Sequence, residues 1–206
     1  MAFFTYFKNA FKRSALELKS IHCIATIGIL IAVAVVLDGF GSIRIGDYLK
    51  INFVFLPLSM VGILFGPVAG AMAGLLTDVV GYLINPVGGF IPWLVLISGL
   101  EGFVYGLLLY NIKAERTVKT VIRVVAARFV VCAVCNLTLN TLALYSVGYI
   151  TGESFGAVFS ARIALNVITF CLGSYMMMAI LIPVKIFYDK KIKKIPSVYA
   201  EKGTQT

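Results

Sequence analysis

Two carboxylates stand where carboxylates are expensive. Asp78 lies in "GPVAGAMAGLLTDVVGYLINP" (66–86) and Glu101 in "SGLEGFVYGLLLY" (98–110), both in long apolar runs. An ionisable group in such a run is a functional-site candidate, because its burial must be offset by a ligand or a partner charge. Asp78 is too short to reach a membrane surface, so a binding role is expected for it. Glu101 either faces the same ligand or pairs with an arginine. The cations to weigh against them are Arg128 and Arg162. Arg128 lies a turn or two from the end of its apolar segment and is expected to snorkel to the headgroups. Arg162 stands near the start of the last segment, where outward snorkelling and ligand contact both remain open. Carboxylates deep in a bundle accept hydrogen bonds strongly. With cations at the rim they suit a ligand with a donor-rich heterocycle and an acidic tail.

The elements that must hold these residues are spanning helices. The 206-residue chain is 60% hydrophobic and 13% charged, with mean hydropathy +0.98. A soluble domain carries roughly a quarter charged residues. A span needs about 20 apolar residues, and segments at 21–38, 51–65, 68–85, 92–111, 120–147 and 157–187 fit that length with soft boundaries. The runs are continuous, unlike the alternating strands of a membrane barrel. The expected fold is an all-α integral membrane protein, a six-helix bundle over residues 21–187. Residues 1–20 read as an amphipathic cytoplasmic N-terminus, not a cleavable signal, with Phe3, Phe4, Phe7 and Phe11 placed to lie on the membrane surface. Residues 188–206 read as a basic cytoplasmic tail.

The net charge of +9 is a topology signal. Lys8, Lys12, Arg13 and Lys19 precede the first span; Lys113, Arg116, Lys119 and Arg123 flank the fourth connection; Lys185, Lys190, Lys191, Lys193 and Lys194 close the chain. With six spans these regions share one side, which the positive-inside rule makes cytoplasmic. Both termini are therefore expected inside, near anionic lipid. The outer loops carry only Asp38, Arg44, Asp47, Lys50 and Glu153. This pattern argues against nucleic-acid binding.

Other chemistries lack their residues. Cys23, Cys132, Cys135 and Cys171 all fall in apolar runs. Cys132 and Cys135 form a CxxC without further ligands, so zinc is not expected and packing is. The one histidine, His22, sits at the start of the first span. No phosphate-cradling GxxxxGK[ST], HExxH or GxSxG occurs. No cofactor is implied, and no ATP hydrolysis by this chain.

Three outer loops offer material for a pocket. "DGFGSIRIGDYLKINF" (38–53) has glycine hinges and two cations, Arg44 and Lys50, and suits a lid. "NPVGGFIPW" (85–93) ends in the one tryptophan, Trp93, an interfacial anchor or a stacking platform. "LNTLALYSVGYITGESFG" (139–156) brings Asn140, Tyr145 and Tyr149, and Tyr82 stands one turn beyond Asp78. Small residues recur at close-packing spacing: Gly28 and Ala32 in the first span, Gly70, Ala71, Ala73, Gly74 and Gly81 in the third.

Taken in order, these elements resemble the substrate-binding S components of energy-coupling factor vitamin transporters, and most of all the folate group. The matching stretches are Lys50-Ile51-Asn52-Phe53 to Pro57, Gly62 to Pro67, Gly74 to Gly81 around Asp78, and Pro86 to Phe90. Leu100 to Gly106, Leu139 to Leu144 and Ala161-Arg162 follow. The resemblance covers about residues 20–185. It implies a helical bundle that captures a vitamin from outside and works with a membrane coupling protein (EcfT-like) and two ATPases (EcfA-like) in a bacterial plasma membrane. It implies that Gly28 and Ala32 contact the coupling protein and that the loop at 39–50 is a gate.

Three departures fall where the pocket belongs. Ile91-Pro92-Trp93-Leu94-Val95 replaces the group's F-P-G-F-T, Glu101 replaces a small residue, and Ala143 replaces a tryptophan. Asp78 suits a pterin edge, and Arg44, Lys50 or Arg162 suits a glutamate tail. A second carboxylate at Glu101 suits equally a 7-deazaguanine precursor of queuosine such as queuine. An autonomous proton-coupled carrier using Asp78 and Glu101, a membrane-embedded enzyme and a ligand-free assembly subunit are the remaining classes.

Overall fold

A computed structural model describes residues 11, 14–45, 49–86, 89–110, 118–148 and 155–191, with side chains at all of these except 43–45, 49, 50, 155 and 189–191. Phe3, Phe4 and Phe7, the basic connection at Lys113 and Arg116, Tyr149, Glu153 and the tail from 192 onward lie outside the described residues.

The chain runs α1 (Ile21–Phe40), β1 (Ile43–Ile45), β2 (Leu49–Ile51), α2 (Phe55–Ile84), α3 (Pro92–Leu109) and α4 (Val118–Val130). A π-helical segment (Val131–Leu139) then leads without a break into α5 (Asn140–Ser146), and α6 (Phe155–Lys191) follows. Among the described residues, four helices are long and apolar enough to cross a membrane: Ile21–Phe40, Phe55–Ile84, Pro92–Leu109 and Gly156–Tyr188. The architecture is helical, as the apolar runs require. The expected lid segment adds what hydropathy did not show, an antiparallel ribbon pairing Ile43 with Ile51, Arg44 with Lys50 and Ile45 with Leu49. Its second strand takes Ile51, the first residue of the second apolar segment, and the helix there begins at Phe55.

The 30 residues of α2 are not one straight rod. Gly66 has φ 88 and ψ −170, a left-handed conformation that residues with a Cβ rarely adopt, and Pro67 follows it. Packing along α3 reverses at this point. Before the break, Leu58 meets Gly102 and Gly62 meets Gly106; after it, Pro67 meets Gly106, Gly70 meets Gly102 and Gly74 meets Ser98 and Gly99. The "FGP" of the sequence is thus a corner that folds residues 55–65 and 67–84 over the same partner helix. The α2–α3 packing is backbone on backbone. A Cβ added at Gly70 would strike the Gly102 carbonyl, and one at Gly102 the Gly70 carbonyl. In lipid, such small-residue contacts let helices associate by close van der Waals approach.

A helix break buried in the bundle leaves carbonyl and N–H groups that need protein partners. Ser14 fills that role. Its hydroxyl donates to the Phe65 carbonyl at 2.6 Å and accepts from the Val68 and Ala69 N–H groups at 3.2 and 3.3 Å. It caps both sides of the break from a distant part of the chain and is fully buried. Next to it, Tyr110 donates to Glu17 Oε1 at 2.8 Å, and Phe11 packs on Phe103 with centroids 5.6 Å apart. The described part of the N-terminal segment is therefore docked into the bundle, and Phe11 lies against α3 where a surface position was expected.

Gly66→Ala forces a Cβ to 2.9 Å from Ser14 Cβ in a disfavoured conformation. The expected loss is about 1–3 kcal/mol, read as a lower melting temperature in detergent. Ser14→Ala should lower it as well, and an unchanged melting temperature in both variants would refute the capping role.

Candidate functional site

The C-terminal half of α2 and the start of α3 face one another across the glycine contacts, and this sets the site. Asp78 lies one turn beyond Gly74, opposite Ser98, whose hydroxyl donates to Asp78 Oδ1 at 3.1 Å. Glu101 is one turn further along α3. Both carboxylates open into a cavity of about 190 Å³. Its other walls are Asp38 from the end of α1, Asn52 and Val54 after β2, Leu58 and Thr77 of α2, Leu94 and Ile97 of α3, Asn136 of the π segment and Asn140 of α5. The volume is below the roughly 300–1,000 Å³ of drug-sized sites and matches one flat ring system.

The polar groups are distributed unevenly. The described lining carries three carboxylates, Asp38, Asp78 and Glu101, and three primary amides, Asn52, Asn136 and Asn140, with no lysine or arginine among them. Glu101 lies within electrostatic reach of Arg128 and Asp78.

Arg128 is the main correction to the sequence reading. It does not snorkel: it is 3% exposed. Its Nη1 donates to the Tyr105 hydroxyl at 2.8 Å and its Nη2 reaches the Thr169 carbonyl at 3.4 Å. Its Cζ stands 3.8 Å from the Phe55 ring centroid, a desolvated cation–π contact. Gly173 leaves the room, since a Cβ there would be 2.8 Å from Arg128 Nε. The guanidinium ties α2, α3, α4 and α6 together behind Glu101 and compensates the buried charge electrostatically.

Of the residues singled out from the sequence, the cavity brings together Asp78, Glu101 and Asn140. Arg162 is partly buried and donates to Thr141 Oγ1 at 3.1 Å, beside Asn140 but not among the lining residues. Tyr82 packs on Phe90, with centroids 5.1 Å apart. Trp93 is 59% exposed and lines a separate apolar groove of about 430 Å³ with Leu96, Leu100, Leu139, Leu142, Ala143 and Ser146. Tyr145 is exposed and lines neither. Arg44 and Lys50 face each other in the ribbon's register, and their side chains lie outside the described residues. Asp38, read as a loop residue, belongs to α1 and reaches the cavity. Asn52, Thr77, Ser98 and Asn136 were not singled out, although Asn52, Thr77 and Ser98 stood inside the quoted motifs. Gly28 and Ala32 are both exposed on α1, and a Cβ at Gly28 would meet nothing within 4 Å. Cys23, Cys132 and Cys135 are buried and Cys171 is exposed.

Comparison with known proteins now has a geometry to meet. The family model described as "ECF-type riboflavin transporter, S component" matches residues 18–185. The chain belongs to this family. The S component is 29% identical over 153 residues to the folate transporter FolT of Clostridium novyi (strain NT), covering 74% of this chain and 84% of that protein. It is 30% identical over 88 residues to the folate transporter FolT of Streptococcus mutans serotype c, covering 43% and 47%. Among solved structures, the crystal structure of FolT bound with folic acid superposes with TM-score 0.67 at 33% identity, over 75% of this chain and 90% of that one. The S component is a multi-pass membrane protein of a transporter family, similar to its folate-type members.

Removing the Arg128 side chain leaves the Tyr105 hydroxyl without its donor and Glu101 without the nearby cation. Arg128→Ala is expected to cost about 3 kcal/mol or more, read as a large drop in melting temperature in detergent. Tyr105→Phe, which loses only the hydrogen bond, should cost about 1–2 kcal/mol.

Proposed function

We propose that this S component binds folate or a closely related pterin from outside the cell and delivers it inward with a separate coupling protein and two ATPases, in a bacterial plasma membrane. The observation that carries this reading is the cavity between α2 and α3, where Asp78 and Glu101 face one ring-sized space. A pterin edge presents an amino group beside a ring N–H, two donors for carboxylate acceptors. A flavin edge presents a single N–H between two carbonyls, which three carboxylates in the lining would repel. The acidic wall therefore favours the ligand in the relatives' names over the one in the family's.

In this reading the reversal at Gly66 divides α2 into the second and third of six spans, and the run from 118 to 146 is the fifth. Both termini are cytoplasmic. Asp78, Glu101 and Asn140 hold the ring. Arg44, Lys50 and Arg162 serve the acidic tail from the rim, the ribbon at 43–51 gates the entrance, and Tyr82, Trp93 and Tyr145 flank it. Gly28 and Ala32, exposed on α1, are the contact for the coupling protein.

A second reading keeps the mechanism and changes the ring. Glu101 accepts no hydrogen bond from any described residue, whereas Asp78 has Ser98. An amine-bearing 7-deazaguanine would satisfy it.

Purified protein titrated with folate and with 7-aminomethyl-7-deazaguanine separates these readings. Folate binding in the wild type, lost in a folded Asp78→Ala variant, is the expected result. Preference for the deazaguanine, with Glu101→Gln abolishing that preference, would support the second reading. Normal binding by Asp78→Ala would refute the ligand role of Asp78. Separately, Gly28→Leu with Ala32→Leu should abolish co-purification with the coupling protein and leave ligand affinity unchanged.

A further inference from the structure

We infer that Asn136, presented by the π-helical segment, reads the ligand: its amide supplies a hydrogen-bond donor for the ligand's acceptor edge. The inference rests on the proposed function of the same cavity and names a residue that no motif pointed to.

Asp38, Asp78 and Glu101 only accept when ionised. The Ser98 hydroxyl is given to Asp78. The Thr77 hydroxyl is a donor on the same helix as Asp78, and the Asn52 amide is one just after the ribbon. The π segment and α5 add the amides of Asn136 and Asn140 to the lining. A heterocycle that offers N–H donors on one edge carries carbonyl oxygens and ring nitrogens on the others. Left unpaired in a dry site, those acceptors oppose binding. The π segment is the element placed to pair them.

The backbone explains how Asn136 and Asn140 come to share this task. The inward face of α4 recurs at three- and four-residue spacing through Val124, Arg128, Val131 and Cys135, all buried. Continued as an α-helix, that face would next bring Leu139 and Leu142 inward. Instead the Asn140 N–H bonds five residues back to the Cys135 carbonyl, and Thr138 Oγ1 bonds five residues back to the Ala133 carbonyl at 2.8 Å. The wider turn absorbs one extra residue. Asn140 then joins Asn136 on the cavity, while Leu139 and Leu142 turn to the apolar groove beside Trp93. Such wide turns are rare and concentrate at functional sites, because an α register is otherwise preferred.

Folate and aminopterin test this. Folate carries a C4 carbonyl beside N3–H, whereas aminopterin carries a 4-amino group beside a bare N3, so the C4 acceptor becomes a donor and the N3 donor an acceptor. The full chain in detergent is titrated calorimetrically with each. The wild type is expected to favour folate. Asn136→Ala should weaken folate about tenfold, the worth of one well-made hydrogen bond, with aminopterin nearly unchanged, so the preference narrows by that factor and the part due to N3–H remains. Asn136→Asp keeps the shape and removes the donor, and should narrow it too, which guards against a packing defect in the alanine variant. Equal losses for both ligands, or no loss for either, would overturn the role of Asn136 and leave the folate reading standing. A wild type that binds both ligands alike would overturn it as well. A wild type that binds neither would overturn the folate reading and this inference together.

Discussion

The contact between the Gly70 and Gly102 backbones governs this molecule. In lipid no hydrophobic force presses one helix against another, so close packing must come from surfaces that fit. Glycines at 62, 70, 74, 99, 102 and 106 bring α2 and α3 to backbone distance. Asp78 and Glu101 follow from that fit. Asp78 lies one turn from the Gly74 contact and Glu101 sits next to Gly102, and the interlock fixes both on the rim of one space. A wider helix separation would leave two isolated carboxylates, each costly in a membrane. At this separation they form a wall.

The same bilayer dictates how the interruptions are managed. The Gly66 break frees backbone groups in the buried interior, and Ser14 answers both sides of it with one hydroxyl. The Arg128 charge is held by a phenol, a carbonyl and an aromatic face contributed by three other helices. The π segment is a third irregularity, and it lies where backbone strain has a use, at the cavity. In each case a departure from regular helix is tolerated because neighbouring helices supply what solvent cannot.

On the cavity, α2 and α3 place Asp78 and Glu101 beside the Thr77 and Ser98 hydroxyls, and the π segment and α5 add the amides of Asn136 and Asn140. The ribbon at 43–51 joins the end of α1, which brings Asp38 to the cavity, to the start of α2. The outward face of α1 keeps Gly28 and Ala32 open.

What the sequence determined by itself follows from local rules. Apolar length set the helical, membrane-embedded class, and charge economy marked Asp78 and Glu101, because a carboxylate in an apolar run is improbable without a use. The ordered motifs pointed to the family. Legibility ended where position depends on partners far along the chain. Arg128 read as a snorkelling cation, since one helix alone gives no sign of Tyr105, Phe55 and Gly173 closing on it. Ser14 carried no signal, because its bonds span more than fifty residues to a break it does not adjoin. Asn136 was missed because helical periodicity assumes a constant turn, and the one-residue shift of the π segment is visible only in the backbone. The sequence chose the residues for the cavity; tertiary packing decided which of them meet there, because side-chain direction in a bundle is set by the approach and rotation of whole helices.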